Sequence, residues 1–278
     1  MIKKLSAKKI GKLVFEALVK INTELRPDIL AKLRDAYRDC EGIAKEFLRI
    51  LIENAKIASR ERIALCQDTG LVVVFLDIAQ NRCIEGDVAK EINQAVKRAY
   101  KEAGFRASVV KDPIRRGSSE FTPAVIHYSY TRAKRSSITI LAKGFGSENK
   151  SQLRMLLPTA SEDEVVDSVV EVIKQAGGSA CPPFIVGVGI GGTSDKAMEL
   201  AKRALCMPIG RRYKGEYPEL AERIKEKANA LNIGVLGLGK GPTVLAVNIL
   251  SYPTHIAGLP VGVNIGCHST RWIKLWIE

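Results

Sequence analysis

The feature that most limits what this 278-residue chain can fold into is a change of hydrophobic period near residue 60. Before it, Ile10, Val14, Leu18 and Ile21 recur at helical spacing; so do Leu30, Leu33 and Tyr37, and then Ile43, Phe47, Ile50 and Leu51. After it, the apolar residues gather into short runs rich in β-branched side chains: LVVVFLDI (71–78), PAVIHYSYT (123–131) and SSITILAKG (136–144). Helical patterns return between strands. One covers 86–104. Another covers 161–178, with Ser161 as cap, Glu164 completing a capping box and Gly177-Gly178 as the stop. FIVGVGIGGT (184–193) reads as a strand entering a glycine loop, with Thr193-Ser194-Asp195 capping the helix KAMELAKRAL. A further amphipathic helix fills 217–232, and 233–272 reads as strand, glycine loop, strand, turn, strand. The expected fold is α/β: a single domain with a helical N-terminal portion (1–60) followed by a mixed α/β portion (61–278) whose Gly-rich loops form the site.

Composition closes off several function classes. At 46% hydrophobic the chain can bury a large core, and its longest apolar runs fall far short of the ~20 residues a bilayer span needs. The opening MIKKLSAKKIGKLVFEAL reads as an amphipathic helix rather than a secretion signal, so a soluble cytoplasmic protein is expected. The net charge of +13 admits a Lys-rich surface, an anionic substrate or acidic partner, or nucleic acid. Lys and Arg are dispersed and aromatics are only 6%, which places nucleic acid last.

The polar exceptions collect in loops beside the apolar strands: ALCQDTG (64–70), IRRGSSEFTPA (114–124), AKGFGSENKS (142–151), GGSACPPF (177–184), GVGIGGTSD (187–195), LGLGKGPT (236–243) and NIGCHSTR (264–271). Six cysteines occur and none forms a C-x-x-C pair, so a zinc ribbon or a local ferredoxin-type cluster is excluded on spacing. Cys40 falls in a helical pattern, Cys83 in a turn before a helix, and Cys206 at a helix end; these read as structural. Cys66, Cys181 and Cys267 lie in the polar loops. They suit three separate buried thiols, a zinc site completed by His268, or a four-iron cluster with one open iron acting as a Lewis acid. In the last case Asp68 is available as acid/base and Arg115 or Arg116 for substrate carboxylates. In an extended segment Cys66 and Asp68 would face the same side. The G-x-G-x-x-G of Gly187, Gly189 and Gly192 has the form of a dinucleotide turn, but no apolar strand with a terminal acid follows the helix, which weakens that reading.

Taken together, CQDTG, TPAVIHY, KGFGSEN with LRMLLP, CPPFIVGVGIGGTSDKAMELAKRAL and PTHIAGLPVGVNIGCHSTR resemble, in order and over essentially the whole chain, the alpha subunit of class I fumarate hydratase, a family that includes the alpha subunit of L-tartrate dehydratase. The resemblance implies a [4Fe-4S] cluster held by Cys66, Cys181 and Cys267. It implies substrate contacts from Gln67, Asp68, Arg115 (with Arg116 in reserve) and the glycine loop Gly144 to Gly146. It also implies a shared active site. The second half of the single-chain enzymes is absent here, so a separate beta subunit is expected, in an α2β2 heterotetramer, and the isolated chain should have little activity.

The function expected is reversible hydration of fumarate to L-malate, a step of the tricarboxylic acid cycle; the alternative is dehydration of L-tartrate to oxaloacetate. A more distant alternative is a non-catalytic iron–sulfur or nucleic-acid-binding protein. Asp68 is the candidate acid/base, alongside a threonine of the partner. Two departures from the family pattern stand out: Phe145 interrupts a run of glycines, and GLGKGPT (237–243) replaces a GLGGKTT-like stretch and introduces Pro242, which lacks an N–H.

Overall fold

A computed structural model describes residues 3–210 and 216–278. In chain order the elements are β1 (Lys3–Ser6), α1 (Ala7–Thr23), α2 (Pro27–Asp39), α3 (Gly42–Glu61), β2 (Leu71–Ala79), β3 (Arg82–Glu85), α4 (Val88–Glu102), β4 (Val109–Asp112), β5 (Arg116–Glu120), β6 (Val125–Thr131) and β7 (Ser136–Lys143). There follow α5 (Phe145–Glu148), β8 (Gln152–Leu156), α6 (Glu162–Ala176), β9 (Phe184–Gly191), α7 (Ser194–Leu205), α8 (Pro218–Asn229), β10 (Val244–Tyr252), β11 (Leu259–Gly266) and β12 (Arg271–Ile277). The chain is α/β, as the change of period indicates. The loop segment IGRRYKGEYPEL lies partly outside the described residues. Among those described, no helix is long and apolar enough to cross a membrane.

The chain builds two compact units from interleaved segments: residues 1–25, 55–144 and 271–278 in one, 26–54 and 145–270 in the other. The helices of the first sixty residues divide between them: α1 belongs to the first unit, α2 to the second, and α3 contributes to each.

The first unit is a four-stranded sheet in the order β12-β7-β2-β6, with β2 parallel to β6 and antiparallel to β7. Val72, Val74, Leu76 and Ile78 of β2 and Ile138, Ile140 and Ala142 of β7 form a core with Ile10, Val14, Leu18 and Ile21 of α1 and Ile92, Val96 and Tyr100 of α4. The intervening Val73 and Phe75 are buried too, which is why LVVVF reads as an unbroken run instead of alternating. The residues Lys3–Ser6, expected to be helical, form a short strand parallel to β3. Cys83, expected in a turn, sits in β3 opposite Lys4 and is exposed.

The second unit is a four-stranded sheet in the order β10-β9-β11-β8. One face, with Phe184, Val186 and Val188 of β9 and Val261, Val263 and Ile265 of β11, packs on Val169 and Ile173 of α6 and Ile224 of α8. The capping box of α6 is formed: Glu164 N donates to Ser161 Oγ (3.3 Å) and Ser161 N to the Glu164 carboxylate (2.7 Å).

The other face carries α7 and explains the glycine pattern. A Cβ on Gly187 would lie 2.1 Å from Ala201 O, one on Gly189 2.1 Å from Ala197 O, and one on Gly262 2.5 Å from Ala197 O. Gly187 and Gly189 are therefore interior strand residues that let the backbone of α7 rest on the sheet. Thr193 is the N-cap residue of α7, but its hydroxyl donates to Asp195 Oδ1 (2.5 Å) instead of capping a helical N–H. The stretch IGVLG, expected as a strand, is a 3-10 turn over Val235–Gly237, since Gly234, Gly237, Gly239 and Gly241 all take positive φ.

Candidate functional site

The loop from α3 to β2 comes to the surface at Cys66, Gln67 and Asp68 and dives back at Thr69 and Gly70, which are buried. Leu65–Gln67 bend, so the two-residue alternation expected to align Cys66 with Asp68 does not govern them. Buried groups hold nearly every turn of this loop. Leu65 N donates to Asn22 O (2.8 Å). The Asp68 carbonyl accepts from Arg271 Nη2 (2.6 Å) and its Oδ1 from Gly70 N (3.0 Å). Thr69 Oγ1 accepts from Arg106 N (3.1 Å). Tyr100 Oη donates to Thr69 O (2.8 Å) and lies 3.2 Å from Gly70 O. Burial pushes the Tyr100 phenol up to about 12, with the nearby Arg271 guanidinium working against the rise, so the hydroxyl stays a donor at any physiological pH.

Two glycines shape this neighbourhood, Gly70 by steric necessity and Gly144 by leaving space beside a side chain. Gly70 has φ +81°, and a Cβ there would meet the Lys143 backbone at 2.8 Å. A Cβ on Gly144 would stand 3.2 Å from Asp68 Oδ2 and 3.6 Å from Arg271 Nη2. Lys143, itself 3% exposed, donates from Nζ to Gly144 O (3.3 Å). A carboxylate and two buried cations thus gather around Gly144.

Arg115 and Arg116 lie elsewhere in the first unit, at the exposed tip of the β4–β5 hairpin. Arg115 N and Ile114 N both donate to Asp112 Oδ1 (2.9 Å each) and hold that carboxyl below the usual carboxylate range. Neither arginine bonds to the Cys66–Gly70 loop among the described residues. Besides the buried Arg271, the arginine that the structure ties to this loop is Arg106, whose backbone is fixed by Thr69 and whose side chain is exposed. Its sequence signal is slight: a single arginine just past the helix-stopping Gly104.

In the second unit, Cys181 follows a 3-10 turn over Gly177–Ala180, adopts the left-handed conformation (φ 56°, ψ 65°) and is exposed. For a non-glycine residue that backbone costs about 1 kcal/mol or more. It is held there by its carbonyl, which accepts from His268 N (3.4 Å) and from the His268 ring at Nδ1 (3.1 Å). A carbonyl only accepts, so this contact sets the ring proton on Nδ1. His268 is the neighbour of Cys267, and the clamp therefore brings the two cysteine loops together. Cys267 Sγ is 3.2 Å from Ser269 Oγ, and its carbonyl accepts from Thr270 N and Oγ1 (3.1 and 2.7 Å). The loop of Pro242 packs against the first turn: Leu236 N donates to Pro182 O (2.9 Å), and a Cβ on Gly237 would be 2.7 Å from Gly178 Cα. Gly146, in α5, is open; a Cβ there would meet nothing within 4 Å.

None of the six cysteines is in a disulfide, and burial pushes the Cys40 thiol up. Among the described residues, no three His, Cys, Asp or Glu side chains converge tightly enough to bind a metal ion by themselves. The donor chemistry still suits an iron–sulfur cluster. Cys181 and Cys267 come from loops clamped to each other, and Cys66 sits on a loop of the first unit braced by buried groups.

The family model for fumarate hydratase (Fumerase) matches residues 11–275. A Methanocaldococcus jannaschii protein named "Putative L(+)-tartrate dehydratase subunit alpha" is 39% identical over 274 residues, covering 95% of each chain. The L(+)-tartrate dehydratase subunit alpha of Escherichia coli (strain K12) is 28% identical over 276 residues, covering 97% of this chain and 91% of its own. Over nearly its whole length, then, and with its CQD loop and its Cys181 and Cys267 loops intact, this chain belongs to the fumarate hydratase family.

Proposed function

We propose that this chain is the alpha subunit of a two-subunit hydro-lyase that dehydrates L-tartrate to oxaloacetate. The observation that carries the substrate is the 39% identity, over 95% of each chain, to a relative named for that reaction. This reverses the order expected above, in which fumarate came first. Fumarate hydration remains the second reading, favoured by the description of the matching family.

Cys66, Cys181 and Cys267 would hold a [4Fe-4S] cluster. When bound, that group supplies a Lewis acid for the substrate hydroxyl. The chain's own residues supply binding and proton transfer. The Asp68 carboxylate, half-exposed on a loop whose backbone is pinned, would move the proton. Gln67 beside it is exposed and available to the substrate. Arg106 would offer its exposed guanidinium, which makes no ion pair among the described residues, to a substrate carboxylate, the part first expected of Arg115 or Arg116. Gly144 leaves room beside Asp68 for the substrate, and the backbone through Gly146 would line the same entrance. The beta subunit, in an α2β2 assembly, would complete the site.

The test is anaerobic co-expression with the beta subunit, reconstitution with iron and sulfide, and assay on L-tartrate, fumarate and L-malate. Turnover of tartrate above fumarate is expected, and the alpha chain alone should be nearly inactive. A complex that holds its cluster and turns over none of the three sinks the proposal. Asp68→Asn should lower kcat by ~10²–10⁴ and leave the cluster's visible absorption in place.

A further inference from the structure

The arginine that opens β12 has no part in the reaction as described so far. Arg271 is 3% exposed, and its guanidinium forms no ion pair among the described residues. Nη1 donates to Asn22 Oδ1 (3.1 Å), Nη2 to the Asp68 carbonyl (2.6 Å), and Nε is buried with no acceptor. A buried cation with one donor unmet is an expensive way to fill space; an apolar side chain of similar volume would avoid the desolvation. What an apolar residue could not do is grip a carbonyl.

The grip is one half of a connected clamp. Asn22, fully buried in the last turn of α1, accepts Leu65 N on its backbone carbonyl and Arg271 Nη1 on its side chain. Its Nδ2 donates to Leu18 O (3.0 Å), which fixes the amide's orientation. The segment Leu65–Asp68 is thus anchored at its first residue by Asn22 and at its last by Arg271, and the two anchors bond to each other. Between the anchors lie Cys66 and Gln67. The geometry points to Arg271 as the positioning residue for the Cys66–Asp68 segment: it sets the height and direction of Asp68, while Asn22 sets the entry to Cys66. This rests on Asp68 being the working carboxylate proposed above. Arginine suits the task because its planar fork presents Nη1 and Nη2 to two acceptors at once; lysine's ammonium would reach one of them as a point charge.

The experiment compares Arg271→Gln and Arg271→Lys with wild type in the anaerobically reconstituted complex, by steady-state kinetics, iron analysis and hydrogen exchange read by mass spectrometry. The peptide covering Leu65–Gly70 should exchange at least ~10-fold faster in both variants, with peptides of β9 and β11 at wild-type rates. The kcat should fall by roughly 100-fold, the loss that a misplacement near 1 Å brings, with KM and iron content little changed. Three results overturn the inference: unchanged exchange at Leu65–Gly70, exchange that rises equally throughout the chain, or an unchanged kcat. Where an Arg271 variant does not fold, Asn22→Ala decides, because it removes one acceptor and keeps the cation; local exchange should rise, and wild-type exchange there overturns the inference. Should the wild-type complex act on neither tartrate nor fumarate, the functional proposal falls, and the exchange comparison still decides the role of Arg271.

Discussion

Tyr100→Phe isolates one oxygen in the support of the CQD loop. The ring is 2% exposed and packs edge-on to Phe105 (5.5 Å between centroids), so phenylalanine fills the same space and opens no cavity. What disappears is the donor to Thr69 O and Gly70 O, which leaves buried carbonyls unmet at a cost of about 1–3 kcal/mol. The pH dependence separates this effect from a packing defect. The phenol's value is raised from 10 to about 12, chiefly by burial. The folded chain therefore keeps the proton more tightly than the unfolded chain does. The associated stability is complete below pH 10 and drains away as pH rises toward 12. A span of about two pH units corresponds to roughly 2.7 kcal/mol. Denaturant unfolding of the two proteins, followed from neutral pH to about 12, should show wild type losing that much more than Tyr100→Phe. The variant, less stable at neutral pH, should nearly converge on wild type at the alkaline end. Parallel alkaline limbs would refute the reasoning, since they would mean that the hydroxyl is neither buried nor committed to the loop.

Other outcomes follow from the same geometry. Gly189→Ala puts a Cβ 2.1 Å from Ala197 O and should cost about 3 kcal/mol or more, lowering Tm by ~6–12 °C. Gly258→Ala, with open space around it, should stay within about 0.5 kcal/mol of wild type. Cys267→Ser should cut iron binding by more than the ~10–100-fold that follows loss of a supporting residue, and Cys83→Ser, on exposed β3, should leave it unchanged. Iron analysis of the two purified variants checks both. Gly144→Ala crowds the Asp68 carboxylate at 3.2 Å and should lower kcat by about tenfold with little change in Tm; wild-type kcat would mean that Asp68 does not need that space.

Much of this was legible in the sequence where a single segment determines its own structure. The capping box at Ser161, the unbroken LVVVF run and the amphipathic helices depend on neighbours within a few residues, and they form as the pattern indicates. What depends on distant partners was not. Lys3–Ser6 is a strand because Arg82–Glu85 offers it an edge, and nothing in KKLS announces that. The G-x-G-x-x-G pattern looks like a phosphate turn, yet Gly187 and Gly189 are small because a helix lies on them. The loop of Cys66 was singled out by its polar residues, but its braces, Asn22, Tyr100, Arg106 and Arg271, are scattered along the chain and carry no local mark. Arg115, with Arg116 in reserve, was reached by counting back from Thr122-Pro123, and such a count carries no sign that the segment is the tip of an exposed hairpin.

The interleaving of the two units has a consequence for how the molecule is made. β12 completes the sheet of the first unit by pairing with β7, and it begins with Arg271. A ribosome delivers that strand only after every residue of the second unit has been synthesised. Domains commonly fold in order of emergence; here the unit begun first must wait for residues 271–278, while the second unit already has all of its chain. Until then β7 presents an unpaired edge between Ser136 and Lys143, a row of buried side chains open to the wrong strand. A nascent chain arrested before Arg271 should therefore be the form most prone to aggregate and most in need of a chaperone.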